Sequence, residues 1–397
     1  MAKFKVEDTT FIWVLYLGVI PLDKAALTFY NNIILGNYIA LLLNVIVVLY
    51  VLFLISRRKT VHKVTVKYVL WGIATLTAYV GSCLYGNELY LYRILSIGCL
   101  FAYYFFIIEY YHNIRQFFKD INKALGFIIL LSVCLYYLGS ENVIYYESAD
   151  KVVFKGIVPN RNVFSEISLF YITTNFCIYI DNTIYFLLTT SIAVWATCIT
   201  NSATSLICLS VLLTLYYFSK YNLVKAVCMS KKIFWIPIIA FIGVVGMNGM
   251  IRNIISYVSS LFGKSATLTG RTDIWNITIE KIIENPFFGY GYDSMVLFEN
   301  GVRVNDPHNG ILYLVLTGGI ISLMIFLVMM ASSLLKNKTY TNLSEYYLYI
   351  RVFIIIWLLK GLVESVFSYS HFIFWSAVIA LDLLSYNRLE KGFDIND

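Results

Sequence analysis

"GILYLVLTGGIISLMIFLVMMA", residues 310–331, carries no charged side chain along its whole length. A helix of about 20 apolar residues is what a hydrocarbon layer about 30 Å thick requires. The stretch is not isolated. Apolar runs of roughly 16 to 24 residues also lie near 10–30, 33–56, 68–86, 89–111, 124–139, 164–180, 183–199, 203–218, 233–248, 346–363 and 371–386. Of the 397 residues 59% are apolar and only 13% charged, outside the soluble globular range. The runs are rich in Leu, Ile and Phe without strand-like alternation, so backbone groups deprived of water are satisfied within helices. The expectation is an all-α fold: a polytopic integral membrane protein with about twelve transmembrane helices, one membrane domain over 1–397.

The basic residues test that map, because Lys and Arg are retained on the cytoplasmic side. They cluster in "RRKTVHKVTVK" (57–67), "HNIRQFFKDINK" (112–123), "SKYNLVKAVCMSKK" (219–232), "KNK" (336–338) and "NRLEK" (387–391). An even number of expected spans separates each cluster from the next, so one orientation places all five inside, with both termini cytoplasmic. The net charge of +7 therefore reports topology and not a nucleic-acid partner. Seven cysteines fall mostly inside apolar runs with no CxxC spacing, which suggests neither a disulfide framework nor a metal site. The N-terminal run, bounded by Pro21 and lacking a small-residue cleavage site, is expected to be a retained span.

The same map leaves two long polar segments outside: 140–163, and a larger one at 249–309. So long a connection is usually functional or disordered. Trp275, Phe287, Phe288, Tyr290 and Tyr292 favour an ordered one. Within it, "TGRTDIWNITIEKIIENPFFGYG" (269–291) is expected to form a short amphipathic helix capped by Thr272 or Asp273 and ended by Asn285-Pro286. Trp275, Ile279, Ile282 and Ile283 share its apolar face, which lies on the bilayer surface or on the top of the bundle. Arg271 sits beside the expected N-terminus. There it either helps hold an anion or pairs with Asp273.

Next comes "DPHNG" (306–310). Asp306 is expected to cap the following helix, with Pro307 in its first position and His308 and Asn309 in its first turn. A helix N-terminus disfavours a cationic imidazole, leaving His308 able to accept a proton. It is then either a general base or an interfacial histidine bonded to a loop carbonyl. Arg161, Arg93, Lys360 and Glu364 lie near the same outer side. Charge in a bilayer lines a cavity or meets a partner, although Lys360 and Arg93 could also snorkel. Asp382, Arg351, Glu109 and Asp181 fall near the inner face and read as topological. An outer cavity with excess positive charge would suit an anionic, lipid-linked substrate. The many aromatics carry less information, because Tyr and Trp belts form at any membrane interface.

The segment "GRTDIWNITIEKIIENPFFGYGYDS" (270–294), followed by "HNGILYLVLTGGIISL" (308–323), resembles the signature of the O-antigen ligase and Wzy-type polysaccharide polymerase superfamily. Its elements are a Gly-Arg before a Trp helix, an Asn-Pro-x-x-Gly-x-Gly turn and a His-Asn opening a helix. "FKGIVPNRNVFS" (154–165) resembles the family's upstream Gly-x-x-x-Asn-x-Asn element. The resemblance implies a polymerase in the cytoplasmic membrane of a bacterium, joining undecaprenyl-diphosphate-linked repeat units at the outer face. A ligase using the same donor is the nearest alternative. It further implies no metal and no cofactor, with a flippase and a chain-length regulator as partners besides membrane lipid.

By the same resemblance His308 and Asn309 are the catalytic pair, and Arg271, Arg161, Arg252 and Arg93 the candidate diphosphate ligands. Glu280, Asp306, Lys360 and Glu364 are helpers, with Glu284 and Asp293 as further acids. One departure stands out: where members have a Ser-Arg-Thr triplet, this chain reads "NSATS" (201–205), with Ala203 in place of the arginine. No pair of catalytic carboxylates is evident, which argues against a glycosidase-like double displacement. A transporter would show midplane charges and matched repeats, and a structural scaffold would have no use for His308.

Overall fold

A computed structural model describes residues 42, 45, 46, 48, 49, 53, 63–84, 91–110, 114–148, 151–246, 268–291, 297–299, 302–304, 306–335, 344–367 and 371–386. The expected first span, most of the second, Arg252 and Asp293 lie outside the described residues. Three helices open the described chain: α1 (Lys63–Leu84), α2 (Leu91–Tyr110) and α3 (Ile114–Tyr137). A small antiparallel hairpin follows, β1 (Ile144–Ser148) with β2 (Lys151–Phe154). Then come α4 (Arg161–Ile178), α5 (Thr183–Ile199), α6 (Ala203–Phe218), the short α7 (Asn222–Met229) and α8 (Trp235–Gly246). The long polar segment contributes α9 (Leu268–Glu284) and a second hairpin, β3 (Leu297–Glu299) with β4 (Val302–Val304). The chain closes with α10 (Gly310–Leu334), α11 (Ser344–Lys360) and α12 (Phe372–Tyr386).

The helices coincide with the apolar runs, but the all-α expectation is amended to a mostly helical fold carrying two hairpins in its polar segments. Two helices also begin earlier than hydropathy indicated. α3 takes up most of the 112–123 basic cluster because Phe117, Phe118 and Ile121 are buried there. Asn122 anchors the same turn, donating to Thr174 Oγ1 and Asn175 Oδ1, both at 2.8 Å. α1 likewise starts inside the 57–67 cluster.

By length and composition, α10 is the one described helix able to cross a membrane, and α7 with α8 passes jointly across a 56° bend. Surface chemistry carries more information. α1 turns Val69, Leu70, Ile73, Leu76, Val80 and Leu84 outward and buries Trp71, Ala74 and Ala78. α5 exposes Ile184, Leu187 and Leu188, and α8 exposes Ile236, Ile239 and Ile242. Apolar faces of that extent need a lipid or protein environment.

Charges are buried instead. Lys67 Nζ sits 2.6 Å from Asp382 and Thr65 donates to Glu109 at 2.7 Å. Arg351, with no exposed surface, donates to the Ser230 carbonyl at 2.9 Å. Asp382, Arg351 and Glu109 thus tie helices together and are more than topological markers. Asp181 is exposed in the turn after α4.

α10 packs along α1 through small residues. Thr77 and Ser322 hydroxyls meet at 2.7 Å, and Ser322 donates to the Ala74 carbonyl. α10 is not continuous. At Gly319 the backbone leaves the helical region (φ 68°, ψ −174°). The turn 286–291 fills the break: Tyr290 N–H donates to the Leu316 carbonyl at 2.7 Å, Gly291 N–H to Thr317 at 2.9 Å, and Ile320 N–H to Pro286 at 2.7 Å. Only glycine adopts the Gly319 conformation readily, and a Cβ there would collide with the Phe287 carbonyl. Gly139 also has positive φ, yet a Cβ there meets open space. Each glycine-to-alanine change should cost about 1–3 kcal/mol of backbone strain. Gly319→Ala should cost more because it also expels the turn. Thermal unfolding of the purified variants checks this, and equal losses at both sites would mean that the docked turn contributes nothing.

Candidate functional site at one end of the bundle

The segment before α10 is pinned on both sides of His308. Asn309 is the N-cap of α10 and is fully buried. Its Oδ1 accepts from Ile311 N–H at 3.0 Å and Leu312 N–H at 3.1 Å, while its Nδ2 donates to the Leu362 carbonyl at 2.9 Å. Gly310 N–H donates to the Gly361 carbonyl at 2.7 Å. On the other side the Trp275 indole N–H donates to the Pro307 carbonyl at 2.9 Å.

Asp306 is therefore not the helix cap, and His308 and Asn309 are not in its first turn. Asn309 outcompetes Asp306 because its amide both caps the helix and donates across to the 361–367 turn. Asp306 instead accepts His308's own N–H at 2.6 Å and the Ser365 hydroxyl. Between these anchors His308 is held at φ 50°, a conformation costly to a residue with a Cβ. Its side chain is 43% exposed, with Nδ1 4.0 Å from Asp306. A strained, accessible imidazole flanked by fixed neighbours is the kind of outlier that motivates a functional assignment.

Two more helix N-termini meet beside it. α4 begins at Arg161 behind the cap Asn160, whose side chain accepts from Val163 N–H at 3.0 Å. α6 begins at Ala203, following Asn201 at φ 51°. Asn162 joins them, accepting from Ser202 at 3.0 Å and donating to Glu364 at 3.1 Å. Ser205 continues the link to Ser202 at 3.0 Å and to Ser165 at 2.5 Å. Arg161, partly exposed, adjoins Asn162 in the chain, as Ala203 adjoins Ser202. Aligned N–H groups and helix dipoles at these ends favour an anion.

The hydrogen bonds thus draw His308, Asp306, Asn309, Glu364 and Asn162 into one cluster, with Arg161 adjoining Asn162 in the chain. Lys360 belongs to it in another way. It does not snorkel: its side chain is 1% exposed, with Nζ 2.6 Å from Glu166 Oε1. Glu166 Oε2 lies 3.0 Å from His371 Nε2. Neither Glu166 nor His371 was singled out from sequence. Glu166, an acid inside the 164–180 run, carried the signal of an intramembrane charge.

α9 starts at Leu268, so neither Thr272 nor Asp273 caps it and Arg271 falls within its first turn. Its Ile274, Trp275 and Thr278 are buried on the bundle, while Ile283 with Phe287 and Phe288 is exposed. Glu280 is exposed. Glu284 accepts from Lys281 and from the Tyr290 hydroxyl, each at 2.8 Å, which holds its carboxyl below the ordinary range. Arg93 lies in the first turn of α2. Among the described residues, no three His, Cys, Asp or Glu side chains group so as to hold a metal ion.

Residues 188–327, from α5 through the break in α10, match the family described as O-Antigen ligase. A 63-residue stretch is 36% identical to an O-antigen ligase of Pseudomonas aeruginosa, covering 15% of this chain and 16% of that protein's length. No solved structure matches. The span-length α10 and the outward apolar faces of α1, α5 and α8 agree with a membrane location. Over residues 188–327 the chain is thus similar to the O-antigen ligases, in the region where its motifs lie.

Asn309→Ala should destabilise the fold by about 1–2 kcal/mol from the lost cap, and further by leaving the Leu362 carbonyl unpaired. Asn309→Ser, which retains a capping oxygen, should lose less. Melting temperatures in detergent compare the two, and an Asn309→Ala protein as stable as wild type would remove Asn309 from the framework of the site.

Proposed function

We propose that this protein is a membrane glycosyltransferase that joins undecaprenyl-diphosphate-linked oligosaccharide repeat units into a surface polysaccharide. The reaction takes place at the outer face of a bacterial cytoplasmic membrane. The observation that carries the reading is His308, held at φ 50° and accessible before α10, and joined through Asp306, Ser365, Glu364 and Asn162 to the N-termini of α4 and α6. About twelve spans with both termini inside put this end of the bundle outside.

In this mechanism the donor's diphosphate lies against Arg161 and Arg271, with the aligned helix ends adding positive potential. Arg161 supplies the charge that Ala203 lacks. The acceptor hydroxyl attacks the anomeric carbon, its proton passes to the His308 imidazole, and the bond to the diphosphate breaks. The electron pair leaves with undecaprenyl diphosphate, whose growing charge the arginines stabilise more in the transition state than in the ground state. Asp306 fixes the His308 backbone, and with Nδ1 turned toward it at 4.0 Å, Nε2 is the nitrogen that accepts the proton. Asn309 acts through the backbone it caps. Phosphate departure by this route calls on no nucleotide. A flippase delivering the donor and a chain-length regulator are the expected partners.

The second reading is ligation of a finished glycan onto a different acceptor, favoured by the similarity to the O-antigen ligase family and to an O-antigen ligase. The donor chemistry is shared.

The test is purified protein with undecaprenyl-diphosphate-linked repeat units, analysed on a gel. The expected product is a ladder. His308→Ala should remain folded and lose about 100- to 10,000-fold in rate, and Arg161→Ala about 100- to 1,000-fold. A single transfer to a separate acceptor with no ladder selects the ligase, and full activity in His308→Ala removes the base.

A further inference from the structure

The chain between α11 and α12 is fastened at both ends by one carboxylate. Lys360 is the last residue of α11 and His371 stands immediately before α12, its carbonyl accepting from Trp375 N–H at 3.1 Å. Glu166, on the second turn of α4, takes Lys360 with one oxygen at 2.6 Å and faces His371 with the other at 3.0 Å. Its side chain is 3% exposed. Trp357 lies beneath both partners, with Lys360 Nζ 5.3 Å above its ring and the His371 ring edge-on at 5.1 Å.

The turn that starts at this pin is the platform for the candidate site. Its Gly361 and Leu362 carbonyls hold Gly310 N–H and the Asn309 amide. Its Ser365 hydroxyl holds Asp306, and its Glu364 holds Asn162, beside Arg161. The two halves of the proposed mechanism, base and anion-binding arginine, thus meet the same seven-residue support at 361–367. The support is referred back to α4 through Glu166.

We infer that Glu166, with Lys360 and His371, is a positioning device that fixes His308 relative to Arg161. This rests on the proposed glycosyl transfer for its kinetic consequence, though not for its mechanical one. A buried carboxylate bridging a lysine and a histidine is not required for helix packing alone, since apolar side chains of similar volume commonly replace buried ionic groups without loss of stability. A fixed relation between base and anion site is what such an ionic pin adds, because a displacement of about 1 Å in a reacting group can cost about 100-fold in rate.

Two measurements on the full-length protein in lipid nanodiscs test it. Glu166→Gln leaves Lys360 buried without its counterion, so the informative variant is the double change Glu166→Gln with Lys360→Met, which leaves no unpaired charge. Amide hydrogen exchange should rise at least tenfold across 306–312 and 361–367 in the double variant, with α1 and α5 unchanged. Turnover of lipid-linked units should fall at least tenfold with KM within threefold of wild type.

Exchange unchanged at 306–312 overturns the device, as does a raised exchange spread evenly over the bundle, which would mark a purely structural role. Local exchange raised with full turnover overturns the positioning of the reaction. A wild-type protein inactive on these donors defeats the proposed function instead, and the exchange result then decides the device alone.

Discussion

A carbonyl released from a helix inside an apolar bundle has no water to turn to, and leaving it unpaired costs several kcal/mol. The break at Gly319 creates that problem and the turn 286–291 solves it, exchanging three backbone hydrogen bonds with α10. The rest of the site end follows. Because the turn is docked, α9 is held over the bundle, Trp275 reaches the Pro307 carbonyl, and His308 is fixed from above. From below it is fixed by Asn309 on the Leu362 carbonyl. The Asn-Pro-x-x-Gly-x-Gly turn and the Gly-Gly pair of α10, far apart in sequence, are two sides of one backbone junction.

Polar groups elsewhere divide by task. At the far end of the bundle, Lys67 with Asp382 joins α1 to α12, and Arg351 joins α11 to the chain at Ser230. These ties are local and enclosed. At the His308 end the polar groups form a connected set running from Ser165 through Ser205, Ser202 and Asn162 to Glu364, and from Ser365 to Asp306. Connected networks of this kind fix relative positions more firmly than isolated pairs do.

Hydropathy made the helices legible, since each described helix except α7 and α9 lies on an apolar run, and α9 was found by its 3.6-residue period. It missed the hairpins because short strands in polar connections leave no long apolar signal. The beginnings of α1 and α3 were misplaced for a related reason: basic residues were taken as the end of the helix, whereas Lys67 and Asn122 have buried partners on distant helices. At the site, motif spacing pointed to His308, Asn309 and Arg161. The cap was expected at Asp306 and falls at Asn309, because the Leu362 carbonyl that Asn309 also binds is 53 residues away. Glu166 and His371 escaped for the same reason. Their meaning lies in a pairing across 205 residues, and a single sequence offers no trace of it.

The discontinuity in α10 also separates two rotational phases. In an unbroken helix, the azimuth of the first residue follows from that of the last, so any adjustment of the lipid-facing half would swing the opening turn around the axis. Gly319 cancels that dependence. The nine residues from Gly310 to Gly318 take their azimuth chiefly from the docked turn and the 361–367 support, while the helix beyond Ile320 takes its own from its packing against α1. The later part of the longest described helix can thereby adjust against α1 without steering the histidine at its head.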